Sequence, residues 1–221
     1  AAMNAQRYLE IGTSSGASLA RINCTSVAID PAFEITMPVT GTKPACHFYQ
    51  MTSDDYFELH DPKPVLGGSI DLAFLDGMHR YEFLLRDFIN TEKHSARNSI
   101  ILLHDCLPPT FDMTNREGTS GKQDSKYRYY WTGDVWKVVE ILKKWRPDLE
   151  MRLLDCVPTG LVALTKLDPG SKVLGENYDR IVADFAANEG DFEKLQAFLS
   201  TSPPDSSRAI SPPELLRLFG H

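Results

Sequence analysis

One stretch near the start constrains the fold more than any other. Tyr8-Leu9-Glu10-Ile11-Gly12-Thr13-Ser14-Ser15-Gly16-Ala17-Ser18-Leu19-Ala20 is followed by Ser26-Val27-Ala28-Ile29-Asp30. The order reads strand, glycine turn, helix, strand, acidic residue. Such a unit builds one step of a parallel sheet and leaves a pocket beyond the strand ends. Gly12 and Gly16 let the backbone turn sharply and approach a ligand with no Cβ in the way. A helix expected over Ala17–Arg21 directs its free N–H groups at whatever polar group occupies that pocket. Asp30 closes the second strand about twenty residues after the first glycine, where a carboxylate accepts ribose hydroxyl protons.

The spacing separates two kinds of nucleoside ligand. A dinucleotide site wants G-x-G-x-x-G, whose middle glycine makes room for a pyrophosphate. Here Thr13, Ser14 and Ser15 fill the interval between Gly12 and Gly16, and Glu10 stands two places ahead. Small hydroxyl side chains narrow the approach of a pyrophosphate. They suit one nucleoside carrying an amino-acid tail, whose ammonium needs polar partners nearby. The Glu-x-Gly-x-x-x-Gly pattern resembles the first motif of class I S-adenosylmethionine-dependent methyltransferases. A glycine turn without a ligand is the plain alternative, and an NAD-dependent oxidoreductase using the same Asp30–ribose contact is the enzymatic one.

Short β-type bursts alternate with longer amphipathic stretches, which predicts βα units and a doubly wound α/β fold. Strands are expected at Tyr8–Ile11, Ser26–Ile29, His47–Gln50, Ile70–Leu75, Ser99–Leu103, Met151–Cys156 and Leu161–Lys166. Besides Ala17–Arg21, helices are expected at Asp54–Leu59, Arg80–His94, Gly133–Lys144 and Tyr178–Leu199. Ile100-Ile101-Leu102-Leu103 is apolar on both faces, as a central parallel strand should be. Val157-Pro158-Thr159-Gly160 joins the last two strands by a tight turn, so the mostly parallel, seven-stranded sheet should end in an antiparallel hairpin. A parallel sheet with that ending is characteristic of the Rossmann-like class I methyltransferase fold. The expected division is 1–168 for the cofactor-binding domain and 169–221 for a helical appendage that packs on it or forms an oligomer interface, a homodimer being the simplest.

With 221 residues and a net charge of −7, and with no run of Lys or Arg, the chain offers no cationic stripe for nucleic acid. No segment approaches the roughly 18 apolar residues of a membrane span, and no charged-then-apolar leader opens the chain. Cys24, Cys46, Cys106 and Cys156 form no C-x-x-C pair, which argues against structural zinc and a disulfide framework. These features together point to a cytoplasmic protein handling a small molecule, with neither nucleic acid nor membrane as partner.

Two further strand ends carry unusual polarity. Asp76-Gly77-Met78-His79 follows Ile70–Leu75, and His104-Asp105-Cys106 follows the next strand. If those strands are neighbours, Asp76 and Asp105 stand side by side. Paired carboxylates repel unless a proton or a divalent ion lies between them. Mg²⁺ or another divalent cation there, held by Asp76, Asp105 and His104, lowers the pKa of a bound hydroxyl. His79, one tight turn beyond Asp76, is placed to take the proton. Each residue also has a structural alternative: a strand-end turn at Asp76-Gly77, a cap at Asp105, a packing histidine at His104.

Asp76-Gly77-Met78-His79-Arg80-Tyr81-Glu82, with His104-Asp105 after the next strand, resembles the class I family called methyltransferase domain 24. Its relatives include metal-dependent sugar and macrolide O-methyltransferases, and the similarity runs from about Tyr8 to Leu167. The resemblance implies that Glu10, Gly12, Thr13, Ser14 and Gly16 line the methionine end of S-adenosylmethionine. It puts Asp30 on the ribose, Ser53 and Asp54 on the adenine, Asp76 in both the cofactor and metal sites, and His79 with Asp76 at the catalytic centre. The implied activity is methylation of a hydroxyl on a small molecule or sugar. Metal-dependent relatives often carry a further acidic or amide residue beside the second Asp, where this chain has His104 and Cys106. Some relatives perform other chemistry, so a non-catalytic cofactor- or carbohydrate-binding module stays open beside the methyltransferase. The long stretch Leu107–Trp131, with Pro108-Pro109, Gly118, Gly121 and the aromatics Tyr127, Tyr129, Tyr130 and Trp131, is the expected acceptor-selecting element. Anchoring of the next helix is its alternative role.

Overall fold

A computed structural model of the chain describes residues 5–118, 130–186 and 197. Among the described residues, β1 (Arg7–Ile11), β2 (Thr25–Ile29), β3 (Cys46–Tyr49), β4 (Ile70–Leu75), β5 (Ser95–His104), β6 (Glu150–Leu154) and β7 (Leu161–Thr165) form one sheet in the order β3-β2-β1-β4-β5-β7-β6. The strands from β3 to β5 are mutually parallel, and β7 runs antiparallel to both β5 and β6. This is the mostly parallel, doubly wound sheet ending in a hairpin that the strand pattern predicts.

Helices α1 (Ser53–Leu59), α2 (Pro62–Leu66), α3 (Tyr81–His94), α4 (Lys137–Trp145), α5 (Val173–Glu176) and α6 (Tyr178–Ala186) complete the described elements, with single 3-10 turns at Leu19–Arg21 and Phe111–Thr114. The short α2 shows its punctuation in sequence. Asp61 caps it by accepting the Lys63 amide, Pro62 opens it, and left-handed Gly67 ends it. The main core sets Leu9, Ile11, Val27, Ile29, Leu75 and Leu103 against Leu85 and Phe88 of α3 and Val138 and Leu142 of α4. Leu174 and Ile181 are buried in the same core, so the packing continues beyond the last strand. The opposite face of β1 and β2 carries only a small cluster of Tyr8, Leu19, Ala28 and Val39.

The helix expected over Ala17–Arg21 is a correction: only the 3-10 turn Leu19–Arg21 forms there. Gly16 at φ +81° holds the preceding backbone in a left-handed turn, and Ser18 makes no side-chain cap of the kind that Asp61 gives α2. No helix N-terminus therefore faces the pocket from that loop. Segment 31–42 covers it instead, its Glu34 and Thr36 amides bonding to the Ser14 and Ser15 carbonyls. Arg80 proves to be the N-cap of α3 rather than its first residue, and β5 begins four residues earlier than expected. The expected helix Tyr178–Leu199 is described to Ala186. Tyr127, Tyr129, Ser200–Pro213 and the rest of the C-terminal stretch lie outside the described residues. No helix among the described residues is long and apolar enough to cross a membrane.

Candidate active site

The parallel register Leu75↔Leu103 brings the ends of β4 and β5 level. Asp76 and Asp105 leave those two strand ends together, as neighbouring strands require. Asp105 adopts φ 61°, a left-handed turn that Asp tolerates better than most residues. The glycine loop rests on the same spot, since a Cβ on Gly12 would lie 1.9 Å from the Asp76 carbonyl oxygen. Only glycine fits there, and its φ of +82° requires glycine independently.

Two imidazoles face the two carboxylates. His104 Nδ1 lies 3.1 Å from Asp76 Oδ1 and 3.2 Å from Asp105 Oδ1. His79 Nε2 lies 3.3 Å from Asp105 Oδ2 and 3.6 Å from Asp76 Oδ1. The donor atoms of Asp76, His79 and Asp105 all fall within 4.8 Å of one another, a spacing that one metal ion can bridge. Burial works against ionisation of Asp76, but His104 and His79 outweigh it and hold the carboxyl below its ordinary range. Burial also works against charge on His104, yet Asp105 and Asp76 lift it to about 10. His79 is lifted in the same sense, against its own burial, by Asp76 and Asp105. The carboxylates thus concentrate negative potential at one point, and both imidazoles are pushed toward their charged form.

His79 is oriented from outside the strand ends. Its Nδ1 lies 2.8 Å from the Trp131 carbonyl oxygen, which can only accept, so Nδ1 carries the proton and Nε2 points at the carboxylates. The Trp131 ring stacks on the imidazole at 4.7 Å between centroids. Gly133 makes this approach possible, because a Cβ there would lie 1.7 Å from the His79 carbonyl oxygen. Arg116 fastens the same segment by ion pairs to Glu82 of α3 and to Asp134, which also accepts the Tyr81 amide and the Lys137 ammonium. Sequence reasoning reads Trp131 as a surface for a substrate ring. The structure puts that ring on His79, and the linking Arg116–Asp134 pair had no local signal. Trp136 is buried in the core, so the segment also anchors α4.

The glycine-loop end is built differently. Asp30 is 8 % exposed, and its two carboxylate oxygens accept the Ser14 amide at 2.7 Å and the Ala32 amide at 2.8 Å. Ser14 sits exposed at φ 46° on the loop tip. Glu10 is fully buried beneath that loop, where Tyr8 donates to its Oε2. Burial raises its carboxyl, against the neighbouring Tyr8, Thr13 and Ser18 hydroxyls, which favour the charged form. Ser53 opens α1, while Asp54 beside it is gripped by Arg86 at 2.8 and 2.6 Å. Asp87 of α3, which the sequence did not single out, is buried near Ser53, with its Oδ2 3.4 Å from where a Cβ on Gly77 would stand. The structure therefore unites Asp76, His79, His104 and Asp105 at one point, with Gly12 against them. Asp30, Glu10, Thr13 and Ser14 gather around the loop, and Ser53 with Asp54 stands at the start of α1.

A sheet of this order with one reversed strand, and a glycine loop laid on the ends of its central strands, defines a class I S-adenosylmethionine-dependent methyltransferase fold. Residues 9–106 match the family model described as a methyltransferase domain. No curated protein sequence matches the chain. Among solved structures it is similar to the S-adenosylhomocysteine-bound methyltransferase PaMTH1 of Podospora anserina, at 18% identity over 74% of this chain and 73% of that one, TM-score 0.48. It is also similar to the O-methyltransferase TomG of Streptomyces achromogenes, involved in tomaymycin synthesis and solved with S-adenosylmethionine, at 18% identity, 73% of each chain and TM-score 0.47. A third is an O-methyltransferase of Bacillus cereus in complex with S-adenosylhomocysteine, at 15% identity over 73% of this chain and 74% of that one, TM-score 0.47.

Proposed function

We propose that the chain transfers a methyl group from S-adenosylmethionine to a hydroxyl of a small molecule or sugar, with a divalent cation at Asp76 and Asp105. The observation that carries this reading is the meeting of two carboxylates and two imidazoles at the strand ends, in contact with the glycine loop. When bound, S-adenosylmethionine supplies a methyl carbon on a positively charged sulfur. A divalent ion, when bound, lowers the pKa of an acceptor hydroxyl.

The chain's own residues do the rest. Asp76 and Asp105 would hold a divalent cation, with His104 and His79 beside them. His79 Nε2 accepts the hydroxyl proton, because Trp131 fixes the other nitrogen as the donor. A cation on the carboxylates would relieve the lift they impose on His79 and leave its Nε2 free to take a proton. Asp30 holds the loop and presents its remaining lone pairs to the ribose, while Glu10 and Thr13 receive the amino-acid tail. Alignment of the oxygen with the methyl carbon is the main source of rate.

Calorimetric titration with S-adenosylhomocysteine, with Asp30→Ala as the control protein, tests the cofactor. Micromolar binding that weakens at least 100-fold in the variant is expected; no binding by the intact chain, or saturable NAD(H) binding at Asp30, overturns it. Acceptor hydroxyls are then screened with and without Mg²⁺. The His79→Ala variant should lose at least 100-fold in turnover, and full turnover would remove His79 from the role of base. Tight cofactor binding with no transfer to any acceptor and no metal at Asp76 would favour the non-catalytic module.

A further inference from the structure

The donor atoms at the ends of β4 and β5 are not all oxygen. His104 Nδ1 stands against both carboxylates at nearly equal distance, 3.1 Å from Asp76 Oδ1 and 3.2 Å from Asp105 Oδ1. For metal–donor bonds of about 2.0–2.2 Å, two donors at right angles around one ion are separated by about 3 Å. The nitrogen therefore stands at the spacing of a neighbouring ligand from each carboxylate oxygen, beside the Asp76, His79 and Asp105 donor atoms that lie within 4.8 Å of one another. His104 closes β5, and its ring lies 5.5 Å from the Phe74 ring on β4, so the sheet itself holds the imidazole in place. The adjacent Cys106 is no competing ligand: its buried Sγ is turned to the carbonyl oxygens of His104 and Val135. His79 is less closely set, with Nε2 at 3.3 and 3.6 Å and its other nitrogen committed to Trp131.

Mg²⁺ is a hard ion that prefers an all-oxygen shell, whereas imidazole suits the first-row transition ions. Two carboxylates already balance the charge of a divalent ion, and a neutral imidazole adds a donor without adding charge. We infer that His104 Nδ1 is a metal ligand alongside Asp76 and Asp105, and that this mixed nitrogen–oxygen site selects Mn²⁺ or a later first-row ion over Mg²⁺. The inference rests on the cation site proposed above. It assigns a role to His104, the residue that precedes the second Asp.

The test is Mn²⁺ titration of the full chain, followed by electron paramagnetic resonance of the free ion, with Mg²⁺ as competitor and pulsed detection of nitrogen coupling to the bound ion. Mg²⁺ should displace Mn²⁺ only at an excess of 100-fold or more, and the bound ion should show ¹⁴N coupling. His104→Asp and His104→Gln should both abolish that coupling, and His104→Asp should lower the Mn²⁺/Mg²⁺ preference at least tenfold. His79→Ala should keep coupling and preference. Circular dichroism of each variant separates loss of the site from loss of the fold. Mn²⁺ bound without nitrogen coupling, or an unchanged preference in folded His104→Asp, overturns the inference and leaves the cation site standing. Coupling lost in His79→Ala but kept in the His104 variants overturns the ligand assignment. If neither ion binds, or if Asp76→Asn and Asp105→Asn leave binding intact, the cation site itself is wrong and the inference falls with it.

Discussion

The two ends of the site solve opposite problems with similar residues. At the glycine-loop end, acidic groups are already answered by the protein: Asp30 by two backbone amides, Asp54 by Arg86, Glu10 by Tyr8. At the acid–histidine end, the partners of Asp76 and Asp105 among the described residues are imidazoles, which can give up their protons. A backbone amide cannot leave, so the first end shapes a loop for a ligand that adds to existing bonds. An imidazolium can be replaced in its electrostatic role, so the second end is suited to exchanging protons for a cation. Where a carboxylate finds its partner, and whether that partner titrates, distinguishes a binding surface from a reactive one.

Gly12 joins the two ends, and its substitution is the most damaging way to test their separation. Gly12→Ala would press a Cβ against the Asp76 carbonyl and force a residue with a side chain into φ +82°. A loss of about 5 kcal/mol in unfolding free energy is expected, measured by denaturant titration. A loss under about 1 kcal/mol would mean that the loop does not rest on β4.

Asp87 tests the floor between the ends. Burial pushes its carboxyl up to about 7, with Asp54 adding to the shift and Ser53 and Arg86 opposing it. The raised value means that the folded chain binds more protons than the unfolded chain between about pH 4 and pH 7. Stability should therefore fall as pH rises through that window, with the full penalty of about 3–4 kcal/mol present above it. Asp87→Asn removes the titration, so the gap between variant and parent should be largest at pH 8 and close toward pH 4. Parallel stability curves for the two proteins would show that Asp87 is ionised and compensated at all pH values.

Legibility in the sequence follows the range of the interactions. The strands, the closing hairpin and the glycine loop are written in runs of neighbouring residues, and each has its place in the sheet. Asp76 and Asp105 meet because β4 and β5 are consecutive and adjacent, an inference that needs only the fold class. The Ala17–Arg21 helix misled because apolar spacing over five residues does not register the left-handed turn at Gly16. Trp131 on His79, Arg116 between Glu82 and Asp134, and Asp87 beneath Gly77 depend on contacts between segments far apart in the chain. No local pattern encodes them. His104 lies between these cases: its position was legible, but its nearly equal approach to both carboxylates required the three-dimensional register.

Asp54 provides the smallest effect and the sharpest test of the comparison. The resemblance assigns it to the adenine, yet Arg86 holds both of its oxygens, and Arg86 is itself packed on Phe83 and bonded to Tyr178. The pair is partly exposed, so Asp54→Ala should cost about 0.5–1 kcal/mol of stability. If the Arg86 grip is its whole role, S-adenosylhomocysteine affinity should change less than threefold, against the loss of 100-fold or more expected for Asp30→Ala. Calorimetry on both variants under one set of conditions gives the contrast directly. A drop of thirtyfold or more for Asp54→Ala would mean that a carboxylate held by an arginine still serves the ligand. The glycine-loop end would then depend on exchangeable partners just as the acid–histidine end does.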